Sequence, residues 1–128
     1  MNNLQKNSDT RRVDDLLREL FSFHRFGIKP GLENITTLLT TLGDPHLCFP
    51  SVHVAGTNGK GTVCSTLASI LTEAGYKTGL YTSPHILRFN ERIRIDGREI
   101  ADADIARLAS AILPETRGIQ GTFFEATT

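Results

Sequence analysis

Between His53 and Thr62 the sequence reads HVAGTNGKGT, with three glycines and one lysine set after the β-branched run SVHVA and before a periodic apolar stretch. Residues of these types at this spacing suit the holding of an anion. Gly56, Gly59 and Gly61 can take backbone angles closed to other residues and let an anion approach the main chain. A helix that starts directly after them aims unbonded N–H groups, and the positive end of its dipole, at one point. Lys60 adds a mobile positive charge that reaches β- and γ-phosphates as charge moves during transfer. The strict pattern GxxxxGK[ST] is not met, because Val54 stands at its first glycine and Gly61 follows the lysine. A glycine-rich turn that only permits tight packing is the plainer alternative. The order of strand, loop, lysine and helix favours nucleotide phosphate binding.

Other residues with chemistry to offer carry weaker signals. Ser83 stands before Pro84 and, on the residues alone, reads first as the cap of a turn. Glu125 lies three residues after Thr122, which is capping-box spacing at the start of a helix. His53 falls inside the β-branched run and reads as a structural residue, whereas His85 follows Pro84 at the mouth of the candidate site. Arg88, Arg92, Arg94 and Arg98 are basic, but Glu91, Asp96 and Glu99 largely balance them, so a solvated hairpin face is expected there.

These residues need elements to position them. Val13, Leu16, Leu17, Leu20 and Phe21 recur at helical spacing after Asp9 or Thr10 as N-cap. The linker RFGIKPG leads to a second helical stretch, Ile35, Leu38, Leu39 and Leu42, closed by Gly43 before Asp44 and Pro45 turn the chain. Ser51–Ala55 reads as a buried strand of a parallel sheet, and Val63, Leu67, Ile70 and Ala74 as one helical face that Gly75 ends. Thr78–Thr82 reads as a second strand, which would complete a right-handed β-loop-α-β unit. RIRIDGREI alternates around Asp96-Gly97, a strong hairpin signal. Asp102 opens a further helix with Ile105, Leu108, Ala109 and Ile112 on one face, stopped by Pro114. The expected fold is therefore α/β, a P-loop domain on a parallel sheet, with a helical region at 1–45 and the nucleotide-binding part at 46–128.

Composition narrows the function classes. The 128 residues carry 14 Lys plus Arg and 14 Asp plus Glu, so no global basic field recruits nucleic acid or a membrane surface. Cys48 and Cys64 lack the spacing of a zinc site or a disulfide framework and read as reduced thiols. The polar N-terminus and the lack of a long apolar window point to a soluble, cytoplasmic protein. The helix that the Thr122–Glu125 spacing announces has hardly begun when the sequence stops three residues after Glu125, and the strands are few, so the sequence reads as the front part of a longer, truncated chain.

HVAGTNGKGT resembles the variant P-loop of the folylpolyglutamate synthase and dihydrofolate synthase family of the Mur ligase superfamily. GLYTSPHILRFNERIRIDG resembles the strand and omega loop that follow it there, FFEATT the metal-binding glutamate segment, and FGIKPGLENI the N-terminal region. The resemblance runs from Phe26 to Thr128. It implies an ATP-dependent amide ligase that phosphorylates a pteroate or folate carboxylate and joins it to L-glutamate. It further implies that Gly56, Thr57, Asn58, Gly59, Lys60, Gly61 and Thr62 hold the ATP phosphates, that Lys60 is catalytic, and that Ser83 and Glu125 hold Mg2+. The full-length protein would be a monomer acting on small molecules. The family's later segments, with a metal-binding histidine, a carbamylated lysine, the adenine contacts and a C-terminal domain, do not occur in these residues. The 128 residues alone are accordingly expected to turn nothing over.

Three other readings compete. A cell-wall Mur-type ligase usually carries a hydroxyl residue after the lysine, and Gly61 with YTSPH argues against it. A kinase or switch GTPase would need Ser or Thr after Lys60, and for GTP an NKxD-like motif; neither occurs. A non-catalytic nucleotide-binding remnant is the third.

Overall fold

The computed structural model describes residues 3–23 and 31–128, with side chains from Arg12 onward. Residues 26–30, where part of the linker and of the N-terminal resemblance falls, lie outside the described residues. The chain divides into two compact units, Met1–Pro50 with Asp102–Thr128, and Ser51–Ala101.

The first unit is helical. Helix α1 spans Asn3–Ser22, α2 Glu33–Thr41, α4 Asp102–Gly118 and α5 Phe123–Thr127, and a short 3-10 turn covers Pro45–Leu47. Helix α1 starts six residues before the expected cap at Asp9, because its first turns are polar and leave no apolar period to read. Its buried residues Val13 and Leu20 pack with Leu38 of α2, Ile105, Ala106, Ala109 and Leu113 of α4, and Phe123 and Ala126 of α5. Phe21 stacks on Phe123 with ring centroids 4.9 Å apart.

Helix α2 ends as expected. Gly43 takes φ 82°, the Gly43 N–H donates to Thr40 O and the Asp44 N–H to Leu39 O, which satisfies the last carbonyls of the helix. Pro114, in contrast, does not stop α4, which continues to Gly118. A proline inside a helix costs about 3 kcal/mol, and packing on both sides of it offsets that cost: Leu113 before it and Thr116 after it are both buried. The buried face is Ile105, Ala106, Ala109, Leu113 and Thr116, while Leu108, expected inside, is exposed.

The second unit is α/β. Helix α3 spans Lys60–Glu73, and strands β1 (Gly79–Tyr81), β2 (Ile93–Ile95) and β3 (Arg98–Glu99) form one sheet in the order β1-β2-β3. The sheet is antiparallel throughout, which corrects the expected parallel sheet. The reasons are local. Asp96 and Gly97, both at positive φ, form a two-residue turn that returns the chain directly beside itself, pairing Ile95 with Arg98. The segment after β1 closes on itself, the Thr82 N–H donating to Arg92 O at 2.9 Å, so that β2 comes back alongside β1 with Leu80 opposite Arg94. Ser51–Ala55, expected as the parallel partner, pairs with no strand among the described residues and is largely exposed. A β-branched run becomes a strand only when a neighbour takes its backbone groups.

Helix α3 packs on β1 through Leu67, Ala68, Leu71 and Thr72, half-buried positions at helical spacing. Val63 and Ile70 of the expected face are exposed. The helix is apolar on more than one side, so periodicity alone did not select the packed one.

Candidate functional site

The glycine-rich segment sits where the sequence places it, between Ser51–Ala55 and the first turn of α3. Gly59 is the residue before the helix and takes φ 77°, a left-handed angle that side-chain-bearing residues rarely adopt. The Val63 N–H makes the first bond of the helix, to Gly59 O at 3.0 Å, so the N–H groups of Lys60, Gly61 and Thr62 precede the ladder. Neither a capping side chain nor an acidic residue occupies this first turn. The helix end thus presents N–H donors and a positive dipole with no internal anion to answer them.

Space is kept open above the turn. A Cβ added at Gly59 or at Gly61 would meet no heavy atom within 4 Å. Gly61 lies at an ordinary helical φ, so neither its backbone angle nor any neighbouring protein atom demands glycine there. A group that approaches the main chain from outside would.

Lys60 folds back over the loop. Its Nζ donates to Gly56 O at 2.7 Å and to Thr57 O at 3.3 Å. The ammonium therefore sits at the loop it would share with a phosphate, exposed and held only by two carbonyls. Thr57, Asn58 and Thr62 are exposed around it.

Ser83 is exposed and belongs to the same unit, whereas Glu125 belongs to the other. Glu125 forms the capping box expected of its spacing: the Thr122 N–H donates to Glu125 Oε2 at 2.7 Å, and the Glu125 N–H donates to Thr122 Oγ1 at 3.3 Å. One carboxylate oxygen is used for the cap, which leaves Oε1 for another ligand. Among the described residues no three His, Cys, Asp or Glu side chains gather as a metal cluster.

The segment from Thr82 to Arg92 holds interactions that the sequence did not lead one to expect. Arg92 does not line a solvated face. It is buried, its guanidinium lies 5.7 Å from the centroid of the Phe89 ring, and its Nε donates to His85 Nδ1 at 2.8 Å. That bond requires the His85 tautomer whose proton is on Nε2. Glu91 accepts the N–H groups of Ile86, Leu87 and Arg88 at 2.7, 2.8 and 2.7 Å. The bonds from these amides, that of Ile86 foremost, hold its carboxyl below the ordinary glutamate range. In the sequence Glu91 and Arg92 look like two more alternating charges; only the return of the chain on itself buries Arg92 and brings three amides to Glu91. His53 stands exposed beside the glycine loop, and Cys48 and Cys64 are free thiols.

An α/β unit in which a glycine-rich turn leads into a helix resembles the Mur-ligase-like ATPase domains. The comparisons agree. No protein-family model matches the chain. The dihydrofolate synthase/folylpolyglutamate synthase of Bacillus subtilis is 42% identical over 98 residues, covering 77% of this chain and 23% of that protein. The folylpolyglutamate synthase of Thermotoga maritima, solved as a crystal structure, is similar with a TM-score of 0.80 at 37% identity, over 90% of this chain and 28% of that one. The bifunctional folylpolyglutamate synthase/dihydrofolate synthase of Yersinia pestis, solved with AMPPNP and a Mn ion, has a TM-score of 0.75 at 38% identity, over 89% and 28%. The chain is a homologue of the folylpolyglutamate synthase and dihydrofolate synthase family, matched at its N-terminal ATPase-like part. It spans about a quarter of these relatives' length.

Proposed function

We propose that these residues form the phosphate-binding part of an ATP-dependent ligase that joins L-glutamate to dihydropteroate or to a folate. The single observation that carries this reading is the open turn at Gly59–Thr62, with Lys60 folded onto Gly56 O beside it. The matched family supplies the reaction.

In that reaction an oxygen of the substrate carboxylate attacks the γ-phosphorus of ATP, and ADP leaves. The amine of glutamate then attacks the acyl carbon, the amide forms, and phosphate leaves with the oxygen that came from the carboxylate. The chain's own contribution is to place and neutralise the phosphates. The N–H groups of Lys60, Gly61 and Thr62, with the loop from Gly56 to Gly59, cradle them at the helix end. Lys60 gives up its two carbonyl bonds, and its Nζ moves to the transferring phosphoryl oxygens, where negative charge grows.

Ser83 and Glu125 are the residues that would hold Mg2+. Each offers a hard oxygen donor of the kind magnesium prefers, Glu125 with Oε1 to spare. The ion would neutralise phosphate charge. The setting is the cytoplasm, where ATP is plentiful and Cys48 and Cys64 stay reduced. No described helix is long and apolar enough to cross a membrane.

The test is ADP release by the polypeptide isolated from its own cells. Release that requires glutamate and a pteroate or folate together supports the reading. Release indifferent to glutamate overturns it.

A further inference from the structure

The segment that carries Ser83 contains no strand, and its only regular turn is the 3-10 stretch Phe89–Arg92, so side chains set its shape. Ser83 is bracketed by two bonds to one residue. Directly before it the Thr82 N–H donates to Arg92 O, and two residues after it His85 Nδ1 accepts from Arg92 Nε. Beyond His85, three consecutive N–H groups point at one carboxylate, that of Glu91. The exposed Ile86 and Leu87 have no core to anchor them; each is more than four-fifths exposed. The order of this stretch therefore depends on Glu91.

We propose that Glu91 is a positioning residue for the ligase reaction, its carboxylate fixing the loop that sets the Ser83 hydroxyl in place to receive a divalent cation. The inference rests on the function proposed above. Three short bonds to a charged acceptor make a rigid connection, because an ionised carboxylate binds N–H groups more strongly than a neutral one does. A glutamine offers one acceptor oxygen, which can keep the Leu87 and Arg88 bonds only by turning its NH2 toward the Ile86 N–H, so Glu91→Gln breaks the clamp on that side. An aspartate keeps both oxygens on a shorter arm and restores part of it. Residues that orient a metal ligand from outside typically change metal affinity by about 10–100-fold when replaced.

The experiment pairs two readouts. Amide NMR of the chain should show the Ile86, Leu87 and Arg88 signals shifted in Glu91→Gln, with the α3 and β1 signals kept. In the polypeptide isolated from its own cells, Glu91→Gln should raise the Mg2+ concentration for half-maximal ADP release about tenfold, leave KM for glutamate unchanged, and be partly rescued by Glu91→Asp. Shifted amides with an unchanged Mg2+ requirement would mean a structural role only and overturn the proposal. If Glu91→Gln does not fold, Glu91→Asp decides alone: a raised Mg2+ requirement supports the proposal and an unchanged one overturns it. A wild-type protein without glutamate-dependent ADP release removes the underlying reading, and with it this role of Glu91; that result is distinct, since it appears before any variant is made.

Discussion

The Nζ of Lys60 lies 2.7 Å from the carbonyl oxygen of Gly56, four residues back along the chain. The positive charge that would meet phosphate thus lies on the carbonyls of its own loop. An exposed ammonium–carbonyl pair is weak, so an entering phosphate displaces it at small cost. Lys60→Ala should leave the fold intact, with a stability change within about 0.5 kcal/mol, because the side chain is exposed. It should lower glutamate-dependent turnover by about 10²–10³-fold, the usual effect of removing one group that stabilises developing charge. Thermal melting and ADP release on the same preparation separate the two effects.

Gly61 and Gly59 should respond differently to alanine. Gly61 has helical backbone angles and open space around it, so Gly61→Ala should be neutral or stabilise by up to about 1 kcal/mol, while its methyl group stands in the anion's path. Gly59 sits at φ 77°, where alanine is strained by about 1–2 kcal/mol. Binding of a fluorescent ATP analogue together with melting temperature should show weaker binding in both and lower stability in Gly59→Ala only.

The Glu91 clamp should have a defined pH dependence. Its carboxyl is held below the ordinary glutamate value by the Ile86, Arg88 and Leu87 amides. A lowered folded-state pKa means that the stabilising contribution is fully present above the ordinary value and is lost as pH falls through the folded one. The three amide signals should therefore titrate together, with one midpoint below that of an unstructured glutamate. Separate midpoints, or a common one at the ordinary value, would refute the clamp.

Much of this was legible in the chain, and what was not has a common physical cause. The Asp96-Gly97 turn, the Gly43 helix end and the Thr122–Glu125 capping box are local devices, each complete within a few residues, and each forms as its sequence indicates. The misread features depend on distant partners. Ser51–Ala55 has strand composition and no neighbouring strand among the described residues; α4 runs through Pro114 because Leu113 and Thr116 are buried; Arg92 looks solvated until Phe89 and His85 enclose it. In the candidate site, the placing of the glycine turn and Lys60 at the start of α3 could be read, whereas the three amide bonds to Glu91 could not.

The helical unit should depend on Phe123, which is 1% exposed and stacked on Phe21. Phe123→Ala should cost about 3–5 kcal/mol by cavity formation. Thr122→Ala, which removes the cap acceptor and a buried methyl group, should cost about 1–2 kcal/mol. Chemical denaturation followed by circular dichroism checks both; equal effects would contradict a core role for Phe123.

The most direct test follows an oxygen atom. Pteroate or folate labelled with ¹⁸O in the reacting carboxylate is given, with ATP, Mg2+ and glutamate, to the polypeptide isolated from its own cells, and the phosphate released is analysed by mass spectrometry. One labelled oxygen in that phosphate, in step with amide formation, is the result expected of a ligase that activates the carboxylate as an acyl phosphate. Unlabelled phosphate would mean that water receives the phosphoryl group, and would contradict the ligase reading.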